Sequence, residues 1–172
     1  MDYMFILLIV LAIAAITDVR TRRIPNWLTY PTMGAGLSYN VYANGWQGFL
    51  FGLEGLSLGF ALLIVFYLLG GMGAGDVKLM AAVGSILGPK IVFVAFLFTA
   101  LTGGIYAIIV LMIHGKLKDY FLTIKILILT GKLIIDPAQN KEKLPALYYG
   151  VAIAVGTFIT VILYRFNCMN FI

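Results

Sequence analysis

A chain of 172 residues with 62% hydrophobic and only 11% charged residues, at a mean hydropathy of +1.03, lies far outside soluble-globular usage. It implies an all-α, polytopic integral membrane protein with one domain over residues 1–172 and little chain left for a soluble one. The formal net charge is +5, and the expected partner is a lipid bilayer rather than nucleic acid. The single cysteine, Cys168, excludes an internal disulfide and a Cys-Xaa-Xaa-Cys metal site.

The first apolar run covers residues 3–17. Asp2 precedes it, no lysine or arginine leads it and no small-residue cleavage site follows, so it reads as a retained first helix rather than a secretory signal. Segments of about 20 residues, with shorter ones buried against neighbours, give six helices: residues 3–19, 27–43, 49–69, 77–87, 91–113 and 144–164. The fourth is too short to cross a bilayer alone, and protein or water must surround its ends.

With the N-terminus outside, the cytoplasmic connections collect Arg20, Arg22, Arg23, Lys78, Lys116, Lys118, Lys125, Lys132, Lys141 and Lys143, and only Lys90 and Arg165 fall outside. That asymmetry supports both the helix list and the orientation, in a plasma (inner) membrane, with Trp27 and Trp46 at opposite interfaces. Between the fifth and sixth helices, Lys118, Lys125 and Lys132 recur every seven residues on one helical face, the pattern of an interfacial helix with snorkelling lysines within residues 115–143. A seventh crossing is the alternative, but it moves Lys141 and Lys143 outside.

The acidic residues are Asp2, Asp18, Glu54, Asp76, Asp119, Asp136 and Glu142. Asp2 is terminal, and Asp119, Asp136 and Glu142 read as solvated surface charges. Asp18 closes the first helix in "AAITDVRTRRIPNWLTY", and Asp76 opens the fourth in "GMGAGDVKLM". The topology puts both at the cytoplasmic side, 58 residues apart in sequence. Two carboxyl groups at one face are the raw material of aspartic-protease chemistry, in which a shared proton lets one act as base and the other as acid. The bland reading pairs Asp18 with Arg22 or Arg23 and makes Asp76 a helix cap; the residues alone weigh the two equally.

"GAGD" at residues 73–76, followed by Lys78, resembles the Gly-Xaa-Gly-Asp motif of intramembrane-type aspartic proteases. "DVRTRRIPN" at residues 18–26 is similar to the first catalytic segment of type IV prepilin peptidases. Helix order, the Asp-to-Asp spacing and "KLPALYYG" at residues 143–150 extend the resemblance over most of the chain. It implies an endopeptidase that cuts the short basic leader from prepilin-like precursors on the cytoplasmic side, with Asp18 and Asp76 as the catalytic pair and no cofactor. Unlike longer members, this sequence has no insertion with paired Cys-Xaa-Xaa-Cys motifs between the first two helices. That implies a peptidase-only form, as in Flp or Tad-type pilus systems.

Gly73 and Gly75 leave backbone exposed beside Asp76, so an extended substrate can approach and add main-chain hydrogen bonds; a plain flexible turn is the equal alternative. Asp76 at a helix N-terminus and Asp18 at a helix C-terminus suggest Asp76 as base and Asp18 as acid. Arg20, Arg22 and Arg23 read as headgroup contacts, and Lys78 as a screen for the pair or a headgroup contact. Glu54 lies near the outer end of its helix, where a structural role or local pairing is expected, and Gly55 with Gly59 forms a small-xxx-small packing pattern. His114 reads as an interface residue. One histidine argues against a dedicated zinc site, and nothing places Ser38, Ser57 or Ser85 beside it for a serine triad. A proton-coupled transporter and a non-catalytic assembly partner are the competing classes. Transport predicts acids spread through membrane depth, whereas an assembly partner predicts that both aspartates are dispensable.

Overall fold

The computed structural model describes residues 2–113 and 148–165. Within them the chain is helical: α1 (Asp2–Thr21), α2 (Asn26–Leu68), α3 (Ala74–Ile113) and α4 (Tyr149–Arg165). Three of these, α1 to α3, are long and apolar enough to cross a membrane, and α4 is a shorter apolar helix. The chain divides into two compact units, Met1–Gly103 with Tyr148–Ile172, and Gly104–Leu147. His114, Cys168 and the expected interfacial helix at 115–143 fall outside the described residues.

A straight helix of 43 residues would be about 65 Å long, twice the hydrocarbon thickness of a bilayer. The chain avoids this by folding back. Asn44 (φ −135°, ψ 16°) and Gly45 (φ 57°, ψ −136°) leave helical geometry inside α2. A Cβ built on Gly52 would stand 3.0 Å from the Leu37 side chain and 3.4 Å from Asn40 Nδ2; residues 37 and 52 would be about 22 Å apart in an unbroken helix. The left-handed φ at Gly45 is what a glycine supplies at low cost.

A second reversal occurs at Gly88 (φ 78°), just before Pro89. Going up the second half of α2, Gly88 lies on Phe51, Gly84 on Gly55 and Met80 on Gly59. Phe96, beyond the turn, is back beside Phe66, with ring centroids 6.4 Å apart. Residues 74–88 thus descend antiparallel to the second half of α2, and the chain then returns.

That short segment is the centre of the bundle. Val77 and every residue from 79 to 88 are buried, as an all-round apolar helix requires, so protein encloses the segment too short to span alone. The close approach rests on small residues. A Cβ on Gly84 would collide with the carbonyl oxygen of Gly55, and one on Gly59 would stand 2.5 Å from the carbonyl oxygen of Met80. Gly84→Ala is therefore expected to lower stability by about 1–3 kcal/mol, read as a fall in the midpoint of thermal unfolding in detergent. Leu7, Leu11, Ala14, Leu63, Val83 and Ile153 complete the core.

Helix ends in α1 to α3 differ from the sequence reading by up to three residues, and α4 begins at Tyr149 rather than residue 144. α1 runs to Thr21 because Arg22 takes a left-handed φ of 54° and donates its N–H to the Asp18 carbonyl at 2.8 Å, a left-handed C-terminal cap formed without glycine. α3 begins at Ala74 rather than residue 77.

Candidate active site

Asp18 lies one turn before the end of α1, and its carboxyl group reaches across to the start of α4. Oδ2 accepts the Gly150 N–H at 2.8 Å, and the Val151 N–H is also directed at the group. These are donors that the first turn of a helix leaves without intrahelical partners. Gly150 has no room for a side chain: a Cβ there would stand 2.9 Å from Oδ2, 3.0 Å from Cβ and 3.1 Å from Cγ of Asp18.

Asp76 is the third residue of α3. Its Oδ2 accepts the Gly73 N–H at 3.0 Å, and its own N–H donates to the Gly73 carbonyl at 3.1 Å. This is half of a capping box, with an acidic side chain reaching back to the residue before the helix. The capping role is therefore present, and it engages both backbone groups of Gly73. Gly75 is used for packing. A Cβ there would come within 3.0–3.2 Å of Ile24, in the connection between α1 and α2.

The fold brings the two aspartates together at one end of the bundle. Each is only 7% exposed, and they are close enough for the charge of Asp18 to act on Asp76. Among the described residues no arginine side chain pairs with Asp18; Arg20, Arg22 and Arg23 are exposed. The contrast drawn from helix ends does not hold, because Asp18, although near the end of its own helix, is seated on the N-terminus of α4. Both carboxylates accept N–H groups at helix N-termini, so the dipole argument no longer separates a base from an acid.

Lys78 has protein partners on α2 that the sequence did not name. Its Nζ donates to Asn26 Oδ1 at 2.9 Å and stands 5.0 Å from the Tyr30 ring centroid, linking the first turns of α3 and α2. Glu54 is exposed on α2, and it has no hydrogen bond or ion pair to another described residue. Its neighbour Gly55 packs against Gly84 and Gly88, two to three turns along α3 from Asp76.

Two features were missed from sequence. Gly150 closes "KLPALYYG", but only the folded chain shows it touching a carboxylate 132 residues away. The Lys78–Asn26 bond likewise joins positions 52 residues apart. A lysine two residues after an acid that caps a helix was the available signal, and it did not name a partner.

Fold and site together define a helical membrane protein with two buried carboxyl groups held at one end of its bundle. Residues 5–108 match the model of the type IV leader peptidase family, and this chain belongs to that family. It is 35% identical over 101 residues to a prepilin leader peptidase/N-methyltransferase of Bacillus subtilis (strain 168), an alignment covering 56% of this chain and 39% of the relative. The matched chain thus spans about two-fifths of that relative's length. No solved structure matches. Asp18 and Asp76 both lie inside the family match, and Gly150 lies beyond it.

Proposed function

We propose that this protein is a membrane aspartic endopeptidase that removes the short basic leader of type IV prepilin-like precursors at the cytoplasmic membrane face. The observation that carries this reading is the pair of buried carboxyl groups, Asp18 and Asp76, held at one end of the bundle within reach of each other's charge. Like charges so placed favour a state in which one proton is shared. The unprotonated carboxyl removes a proton from water as it attacks the scissile carbonyl, and the protonated one hydrogen-bonds the carbonyl oxygen and supplies its proton. Carboxyl groups that interact this way lose their protons as a pair rather than singly.

In this reading the folded halves of α2 and α3, with α1 and α4, give six crossings of the plasma membrane. The N-terminus lies outside and Asp18, Asp76 and the three arginines lie at the cytoplasmic side. Gly73 has its N–H engaged by Asp76, so main-chain pairing with substrate there requires that bond to yield. The prepilin and the bilayer are the partners.

Co-expression with a type IV prepilin tests the proposal. The expected result is a downward gel shift from loss of the leader, and an unshifted precursor beside well-expressed wild-type protein would overturn it. Glu54→Gln is expected to leave cleavage within about twofold, since a surface change remote from the reacting groups perturbs little; the rate of leader removal checks this, and it separates the peptidase from a transporter that uses acids through the membrane depth.

A further inference from the structure

The geometry points to Lys78 as a positioning residue: its bond to Asn26 is a clasp that sets the spacing of the Asp18 and Asp76 carboxyl groups. This rests on the peptidase reading for its consequence in catalysis, but not for its structural content. Positions two apart on a helix point about 200° apart, so a lysine two residues after Asp76 is directed away from it. The Lys78 ammonium is occupied on the far side, donating to Asn26 Oδ1 at 2.9 Å and lying over Tyr30 at 5.0 Å. Asn26 and Tyr30 are one turn apart on α2, so both hold Lys78 from the same face.

The clasp bears on the aspartates through the short connection between α1 and α2. At its α1 end that connection is tied down by the Arg22 N–H to the Asp18 carbonyl at 2.8 Å and by Thr21 Oγ1 donating to the Arg23 carbonyl at 3.1 Å. In its middle, Ile24 lies against Gly75, where even a Cβ would stand 3.0 Å from the Ile24 Cβ. Its α2 end is Asn26 itself. A continuous path therefore runs from Asp18 through the connection to Asn26, across to Lys78, and back one half-turn to Asp76. Without the clasp, the link between the end of α1 and the first turn of α3 rests on the Ile24–Gly75 contact alone.

Single-turnover cleavage and a distance measurement test this together, with Lys78→Met, Asn26→Leu and the double variant. Spin labels go on cysteines replacing Val19 and Ala74, both exposed, after Cys168 is replaced by serine. The clasp predicts that each single variant slows the chemical step by about ten- to a hundredfold, the scale of small misplacements in an active site. The double variant is no slower than either, and all three broaden the label-to-label distance distribution. It also predicts that the pH dependence of the surviving rate changes shape, because spacing sets the interaction between Asp18 and Asp76; a mere loss of folded protein would scale the rate and leave the profile alone. The exposed charges nearby, Arg20, Arg22 and Arg23, are unaltered throughout. A rate that falls in Lys78→Met and recovers in Lys78→Arg, while Asn26→Leu stays at wild type, would assign Lys78 a charge effect and overturn the clasp, as would an unchanged distance distribution. If the wild type fails to cleave, the peptidase reading fails alone, and the distance distributions still decide the clasp.

Discussion

Asp76→Asn and Asp18→Asn are each expected to reduce single-turnover cleavage of a prepilin by about three to four orders of magnitude, with the protein still folded. Asparagine preserves shape and can still accept the Gly73 or Gly150 N–H through its carbonyl oxygen, so the helix ends keep their partners. It cannot take or give the proton that the reaction moves. Losses on that scale are what catalytic groups acting as a unit produce when one is removed. The measurement is the first-order rate of leader loss with enzyme in excess, alongside the midpoint of thermal unfolding. If either aspartate served only as a cap, its asparagine variant would cleave at close to the wild-type rate.

Gly150→Val is the second large effect, and it acts without changing any titratable group. A Cβ at position 150 would stand inside ordinary van der Waals distance of the Asp18 side chain, 2.9–3.1 Å from Oδ2, Cβ and Cγ, and the two γ-methyl groups of valine add bulk where none fits. Either Asp18 turns away or the start of α4 lifts off it, and the 2.8 Å bond from the Gly150 N–H is lost. Cleavage is expected to fall by about a hundredfold or more. Gly150→Ala, with one carbon, should lose less. The graded series is read as kcat at saturating prepilin, and equal activity for glycine, alanine and valine would remove α4 from the site.

The sequence made much of the architecture legible, and for identifiable reasons. The break at Asn44–Gly45 shows as a polar and glycine gap between apolar runs, and Gly88–Pro89 as a pair that cannot continue a helix. The total burial of residues 79–88 was foreshadowed by a segment too short to span and too apolar to face water. Gly55 and Gly59 lie against α3, as their spacing indicated.

What stayed hidden depends on contacts made at long range or against local preference. An arginine in a left-handed conformation gives no signal that a helix will end at residue 21, and α3 begins one turn early because Asp76 reaches back rather than forward. The partner of Asp18 could not be read from residues 18–26, because it is a pair of backbone N–H groups on α4, and backbone donors leave no mark in a side-chain pattern. That same fact removed the sequence argument for which aspartate holds the proton. Glu54, for which a structural role or local pairing was expected, is exposed on α2.

The central claim is that Asp18 and Asp76 act as one site, and a double-mutant cycle on the purified protein tests it most directly. Single-turnover rates of leader removal are measured for wild type, Asp18→Asn, Asp76→Asn and the double variant. A shared-proton pair predicts that the double variant is no slower than the slower single one, so that the two losses do not multiply. Losses that multiply, or a full rate with either aspartate replaced, would contradict the account.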